Sequence, residues 1–446
     1  MKNKLLLFSM CFLYAGCGFA QQAETLELSL QKAMDMGLQN RLDLKNQHLQ
    51  MAIADNETKK LTTKNLPQIT GTADFRYWTT LQTNILPGSA FATPQFPNPP
   101  DRAVKFGLPY NNNFSLNLKQ NIYDPGNHMD RQISKVGSES QKMALEQSAI
   151  DVKLLIAQAY CDVLLNQEKY AMSKSNWQRN RVNYASAKQK FDNNNLIKSD
   201  LDRSNLDLQN TTIVLQKDSA NFELSKYNLL NQLGLTLDKK LVLTDRLDVA
   251  NQDGAPVLAT TTDVERVEIK KEKLNISSHQ LNIRKQNNSY LPTVQFYANY
   301  SVQQLSRDFK FFDGTTWYPY NYLGLQVNVP IFDGFLKAKT KSEYILRSQM
   351  SQNTIEKLRM DIQYELQSSY VALSNAYANM QYAKQNYAQA KDLVGIYQLR
   401  FQQGAVLYSD VLNTEYSLQT AQNNLMSSYY DYLVAKLRWQ KARGEL

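Results

Sequence analysis

Three histidines, three cysteines and a repeated Ser-Asp pair are the residues of this 446-residue chain whose types could do chemistry. His48, His128 and His279 are far apart, without metal-ligand spacing and without a neighbouring nucleophile motif. Cys11 and Cys17 fall in an apparent leader, which leaves Cys161 inside a helix-patterned stretch, where a lone thiol reads as a small buried hydrophobe. No disulfide can form within such a chain. Ser199-Asp200 and Ser409-Asp410 each stand where a helical pattern begins. A serine there is expected to cap the helix, and the aspartate complements its positive end. These residues predict no catalytic, cofactor or metal site.

The two Ser-Asp pairs belong to a longer stretch that the chain writes twice. Residues 191–234, shifted by 210, land on 401–444: Phe191, Ser199, Asp200, Leu208, Gln209, Leu215, Lys226 and Gly234 recur as Phe401, Ser409, Asp410, Leu418, Gln419, Leu425, Lys436 and Gly444. Leu201, Leu208, Leu215, Phe222 and Leu229 stand seven apart, as do Val411, Leu418, Leu425, Tyr432 and Trp439. Small residues follow three places later, among them Ser204, Thr211, Ser225, Thr414, Ala421 and Ser428. A heptad with small partners describes long helices packed closely and nearly parallel to their neighbours.

Composition agrees with long elements. Only 16 Gly and 12 Pro occur, against 26 Tyr. Mean hydropathy is −0.50, but the strong patterning excludes a disordered chain. Lys and Arg exceed Asp and Glu by nine, yet they are spread among the acids without a basic tail, which argues against nucleic acid as a partner. Residues 1–20 have the plan of a signal peptide: Lys2 and Lys4, an apolar run too short to span a bilayer, and Gly18-Phe19-Ala20 before the expected cleavage. Acylation of Cys17 is the alternative, although Tyr14 stands where a lipoprotein box has a branched aliphatic.

The first copy covers 21–234. A helix is expected over 26–64, closed by Leu66-Pro67. The period then becomes two, predicting strands at 67–80 and 113–123 joined by an irregular, proline-rich loop over 81–112. Asp124-Pro125-Gly126 turns the chain into a helix running to about 191, where Asn193-Asn194-Asn195 interrupts it. Residues 235–262 form a mixed insert at mid-length. The second copy covers 263–446: a helix stopped by Leu291-Pro292, strands at 292–304 and 321–332, a long helix to about 399, a break at Gly404 and a last helix. A duplication of this size is the strongest inference the residues allow.

Each strand has one apolar and one polar face, as in Ile69, Gly71, Ala73 and Phe75 against Thr70, Thr72, Asp74 and Arg76. Strands of this length and pattern suit an outer membrane barrel with a lipid face and a wet lumen. Four cannot close one, since about eight is the lower limit, and an open sheet edge cannot face lipid. Copies of the chain must complete it. Trp78, Trp317, Tyr318 and Tyr320 flank strand ends, either as an interfacial girdle or as packing within the loops.

The doubled unit, Leu66-Pro67 and Leu291-Pro292 before the odd strands, Asp333-Gly334 after the fourth and Phe401-x-x-Gly404 at a helix tip resemble the TolC-like outer membrane efflux proteins over essentially the whole mature chain. The resemblance implies a mainly α fold with a membrane β-barrel part: long antiparallel coiled helices forming a tunnel, and four strands per chain in a trimeric twelve-stranded barrel. It implies a homotrimer in the outer membrane, bounded by its lipid and reaching into the periplasm. There it would be a passive exit duct for drugs and toxic compounds, working with a periplasmic adaptor of the membrane fusion type and an inner-membrane pump of RND or ABC type, without cofactor or catalysis. It also implies a gate. Matched from Gly404, the family's aspartate rings fall on Asp410 and on Asn413, which keeps size and loses charge. A latching arginine is matched by Val406 and a tyrosine by Phe401, so the polar latch is absent and closure must be held differently.

Two other functions remain open on the residues. A duct for secreted proteins, as in type I secretion, would have the same wall, because the pump chooses the cargo. A periplasmic coiled-coil scaffold without a pore would share the helices, and the four two-faced strands speak against it.

Overall fold

The computed structural model describes residues 25–247 and 265–446. The expected leader with Cys17 and the part of the expected insert beyond residue 247 lie outside these. In chain order the elements are β1 (Thr25–Leu28), α1 (Leu30–Asn40), α2 (Leu42–Thr63), β2 (Gln68–Tyr77), β3 (Thr83–Leu86), β4 (Arg102–Lys105), β5 (Tyr110–Tyr123), α3 (Pro125–Asp192), α4 (Lys198–Gln232), β6 (Lys240–Leu243), α5 (Val267–Asn288), β7 (Thr293–Ser306), β8 (Trp317–Asn328), α6 (Leu336–Gln402) and α7 (Tyr408–Ala442). α3 and α6 have 68 and 67 residues, and α4 and α7 have 35 each. No described helix is long and apolar enough to cross a membrane.

Contacts gather the chain into two compact units. Among the described residues, one holds 25–45, 148–247 and 362–446; the other holds 46–147 and 265–361. The units do not follow the seam between the two sequence copies: each takes segments from both.

In the first unit the core lies where α1, α3, α4 and the β1–β6 pair meet. Val152, Ile156, Ala159 and Val163 of the α3 seam are buried, with Leu229 and Leu230 of α4 and Leu233 just after it. A Cβ on Gly37 would stand 2.1 Å from Ile156 Cδ1, so α1 and α3 meet at a place with no room for a side chain. β1 and β6 pair in parallel, Thr25 with Lys240 through Leu28 with Leu243. Asp245 accepts from the Leu30 backbone N–H (2.9 Å) and from the Tyr160 hydroxyl (2.8 Å), which also donates to Leu28 O (3.1 Å). Burial first, and Asp245 second, push the Tyr160 phenol above its ordinary range.

The helix expected over 26–64 is broken. Residues 25–28 are a strand, and Arg41 is extended (φ −58°, ψ 127°) between α1 and α2. The cause is tertiary: the Arg41 guanidinium donates to Gln232 Oε1 (2.8 Å) and to Asp43 (2.6 Å), locking the α4 terminus to the bend. That same hydrogen bond holds the Asp43 carboxyl below its usual range.

The heptads pack unequally. Val411, Leu418, Leu425 and Tyr432 of α7 are all buried, and Leu418 meets Ala390 and Val394 of α6. Their counterparts on α4, Leu201, Leu208, Leu215 and Phe222, are all half-buried, and only at the fifth position is the order reversed, with Leu229 buried and Trp439 half-buried. The copies still share their turns. Asn194 (φ 59°) and Gly404 (φ 73°) are left-handed at equivalent positions, and so are Gly234 (φ 69°) and Gly444 (φ 74°). Each ends its helix the same way, with paired backbone bonds such as Gly404 N–H to Phe401 O (3.0 Å) and Ala405 N–H to Arg400 O (2.9 Å).

The second unit holds an antiparallel sheet of order β2-β5-β7-β8, with β2 and β8 at its edges. Ile69 faces Leu118, Leu116 faces Tyr300 and Ala298 faces Leu323, so the apolar residues share one side throughout. Two expectations change. The loop after β2 is not wholly irregular: β3 and β4 form a small hairpin within it, and Asp101 accepts from the Gly88 N–H (2.7 Å) at the turn between them. β8 runs from Trp317 to Asn328 instead of 321–332, because its register is set by β7, which starts after Pro292 and pairs Thr293 with Asn328. The Trp317-Tyr318-Pro319-Tyr320 segment is therefore strand, with Pro319 near its start on a strand that is an edge within the single chain.

Candidate functional site

The features that could carry function are the two faces of the sheet and the helix tips. On the polar face side chains cross-link the strands. Thr72 and Ser115 share a hydrogen bond (2.5 Å), Asn299 donates to Asn117 (2.8 Å), Gln303 to Asn111 (2.9 Å) and Gln295 to Asn121 (3.0 Å). Tyr297 lies across Gly324, where a Cβ would stand 2.6 Å from its hydroxyl oxygen. The opposite face leaves Ile69, Leu116, Leu323, Leu325 and Val327 exposed by 55–77 %. Neutral amides and hydroxyls on one side and bare aliphatics on the other can line a watery path while meeting an apolar medium.

At the second tip, Phe401 closes α6 and lies half-buried, with the Lys190 ammonium of α3 5.3 Å from its ring centre. Gly404 turns the chain, Val406 sits partly buried in the connection and Leu407 precedes α7 with 72 % exposure. Asp410 is the third residue of α7, and its carboxylate accepts from the Leu407 backbone N–H (3.2 Å). Asn413 follows one turn on and is exposed. The expected serine cap is corrected. Leu407 and Ile197 occupy the capping positions, so Ser409 and Ser199 are second helical residues; Asp410 answers the Leu407 N–H, and Asp200 stands in the first turn of α4.

Two contacts at the tips escape sequence reasoning. Lys190 crosses to Phe401, and the Tyr416 hydroxyl donates to Asp207 (2.6 Å), joining α7 to α4. The repeat carries no sign of the second, since Leu206 stands where Tyr416 does in the other copy, whereas Lys190 and Phe401 keep their types as Arg400 and Phe191.

The chemistry-bearing residues stay apart. His48 lies on α2, His128 on α3 beside Gln132 (3.0 Å), and His279 on α5, its ring 6.2 Å from Tyr344. Desolvation, then the Arg347 charge, lowers the His279 pKa. Among the described residues no group of three or more His, Cys, Asp or Glu could hold a metal ion. Cys161 is 3 % exposed, and burial pushes its thiol up to about 12, with Asp162 adding to the shift.

Comparison with curated proteins finds none significantly similar in sequence. Residues 261–445 match the family model described as outer membrane efflux protein. Among solved structures, CusC, reported for its folding and transmembrane channel formation, is 15 % identical with a TM-score of 0.73, covering 93 % of this chain and 91 % of its own. The open state of the Neisseria gonorrhoeae MtrE outer membrane channel gives 14 %, 0.72, 93 % and 88 %. The Campylobacter jejuni CmeC outer membrane channel gives 16 %, 0.69, 93 % and 85 %. At such identities the likeness establishes the fold, helices with a sheet as in these channels. The family is one of transport channels, not enzymes. The second copy thus resembles the outer membrane efflux proteins, and the chain as a whole shares the fold of these channels.

Proposed function

We propose that three copies of this chain close a twelve-stranded barrel in the outer membrane, with the long helices forming a duct into the periplasm. The observation that carries the reading is the open four-stranded sheet, with a cross-linked polar face, a bare apolar face and edges at β2 and β8 that pair with no other described strand. In lipid an unpaired edge is untenable, so β8 of one copy pairs with β2 of the next. The duct is passive. An inner-membrane pump and a periplasmic adaptor supply energy and selectivity, and small toxic compounds are the proposed cargo. The domain reading stays with this proposal: a leader over 1–20, one copy over 21–234, an insert over 235–262 and a second copy over 263–446.

The gate belongs at the second tip, with Asp410 and Asn413 facing the aperture and Phe401, Gly404 and Val406 shaping the turn behind them. Lys190 on Phe401 and Tyr416 on Asp207 take the place of the missing polar latch. Fractionation and planar-bilayer recording test the whole. Recovery in the outer membrane as a heat-modifiable oligomer with ion conductance is expected; a wholly soluble protein without conductance would remove the duct.

A further inference from the structure

The loop joining β7 to β8 folds back over the apolar face of the sheet. The ring of Phe311 lies 5.7 Å from Phe75 and 6.3 Å from Phe114, both on that face, and 5.6 Å from Trp317. A buried polar staple holds it there. Gln304, fully buried, accepts from Asn112 (2.8 Å) and donates to the Lys310 carbonyl and to Thr316 Oγ1 (2.9 Å). The Trp317 indole N–H donates to the Phe311 carbonyl (3.0 Å), and Asp313 accepts from the Thr315 N–H (3.0 Å). The loop is thus fixed at both ends and in the middle, yet Phe309 is 67 % exposed and Phe312 91 %.

Rings held rigidly in water forgo the gain of burial, and an exposed apolar patch marks a contact. The patch continues the apolar face of the sheet without a break, so the medium that meets Leu323 and Leu325 also meets the loop. Asn112 and Gln304 share a row with Phe75 and Trp317. These two amides stand on the apolar face, as Gln120 and Asn321 do in other rows, and here the loop covers them. At roughly 3.3 Å per residue and a 45° tilt, the 12 residues of β8 rise about 28 Å, close to the ~25 Å apolar band of a membrane barrel. The loop stands at the edge of that band, at the sheet end away from the helices. Arg307 and Lys310 are offset by Asp308 and Asp313, so the rings and not net charge make the contact.

We propose that residues 307–316 are a membrane-surface anchor, with Phe309 and Phe312 seated at the headgroup–acyl boundary of a phospholipid bilayer and Gln304 as the staple that positions them. The proposal rests on the reading of the sheet as a lipid-facing barrel segment. Nitroxide labels at Phe312→Cys and, as a control in mid-sheet, Leu325→Cys test it in vesicles of phosphatidylethanolamine and phosphatidylglycerol. Cys161 is buried and does not take the label. Both labels should collide with oxygen and be shielded from an aqueous nickel complex, and Gln304→Ala should return the label at 312, not that at 325, to the nickel. If 325 is shielded while 312 meets nickel, the anchor is wrong and the duct stands. If 325 itself meets nickel, the duct falls and the anchor with it. A label at 312 shielded from both reagents would mean that another protein surface covers the loop, which also overturns the anchor. Unchanged accessibility at 312 in Gln304→Ala would overturn the staple.

Discussion

The hydroxyl of Tyr416 lies 2.6 Å from a carboxylate oxygen of Asp207, so α7 of the second copy is hydrogen-bonded to α4 of the first just beyond the helix tips. The other carboxylate oxygen of Asp207 is buried with no hydrogen-bond partner. Removing the phenol leaves that charge with less support. A bond of this kind at a partly exposed site contributes about 1 kcal/mol. Tyr416→Phe should therefore raise the open fraction about fivefold, read as conductance or open probability in planar bilayers. No change would show that this contact does not hold the gate.

Asp410 and Asp200 offer a comparison inside one chain. Both complement a helix N-terminus, worth about 0.3–1 kcal/mol, so Asp410→Ala and Asp200→Ala should lower thermal stability alike. Only Asp410→Ala should also change conductance and weaken block by divalent cations. Equal electrical effects from both variants would reduce Asp410 to a helix-end residue.

Gly37→Ala places a methyl 2.1 Å from Ile156 Cδ1. Overpacking of this sort costs about 1–3 kcal/mol. The melting temperature should fall, and a second change, Ile156→Val, which removes the clashing methyl, should recover part of the loss. Loss without recovery would put the strain elsewhere.

The Cys161 thiol has a folded pKa of about 12, against an unfolded value of about 8.5. Below the unfolded value both states keep the proton and stability is unaffected. As pH rises above it the unfolded chain ionises first, so the contribution is lost progressively towards pH 12. In the folded protein an alkylating reagent at pH 8 should leave Cys161 unmodified, and reaction should track unfolding by denaturant. Rapid labelling of the native protein would contradict the burial.

What is legible in the sequence is whatever is written as a period. Strands of ten to fourteen residues declare themselves by alternation, and the long helices by heptads that recur 210 residues apart. What is not legible depends on a distant partner. The break at Arg41 is set by Gln232, and the limits of β8 by the start of β7. The β3–β4 hairpin uses strands of four residues, too short for a period to appear among prolines. At the tip, Gly404 and Asp410 can be found by aligning the chain with itself. Tyr416 cannot, since Leu206 stands at its place, and the contact of Lys190 with Phe401 cannot, because it reaches across to the other copy.

The parallel pairing of Thr25–Leu28 with Lys240–Leu243 bears on the order in which the chain can fold. Leu30 is capped by an aspartate 215 residues downstream. Closing so long a loop costs about 5 kcal/mol in chain entropy before any contact forms. A chain crossing a membrane from its N-terminus delivers its first strand long before that strand's mate. Through that interval the first copy has a loose end, and one short ribbon near mid-chain decides when it is fastened.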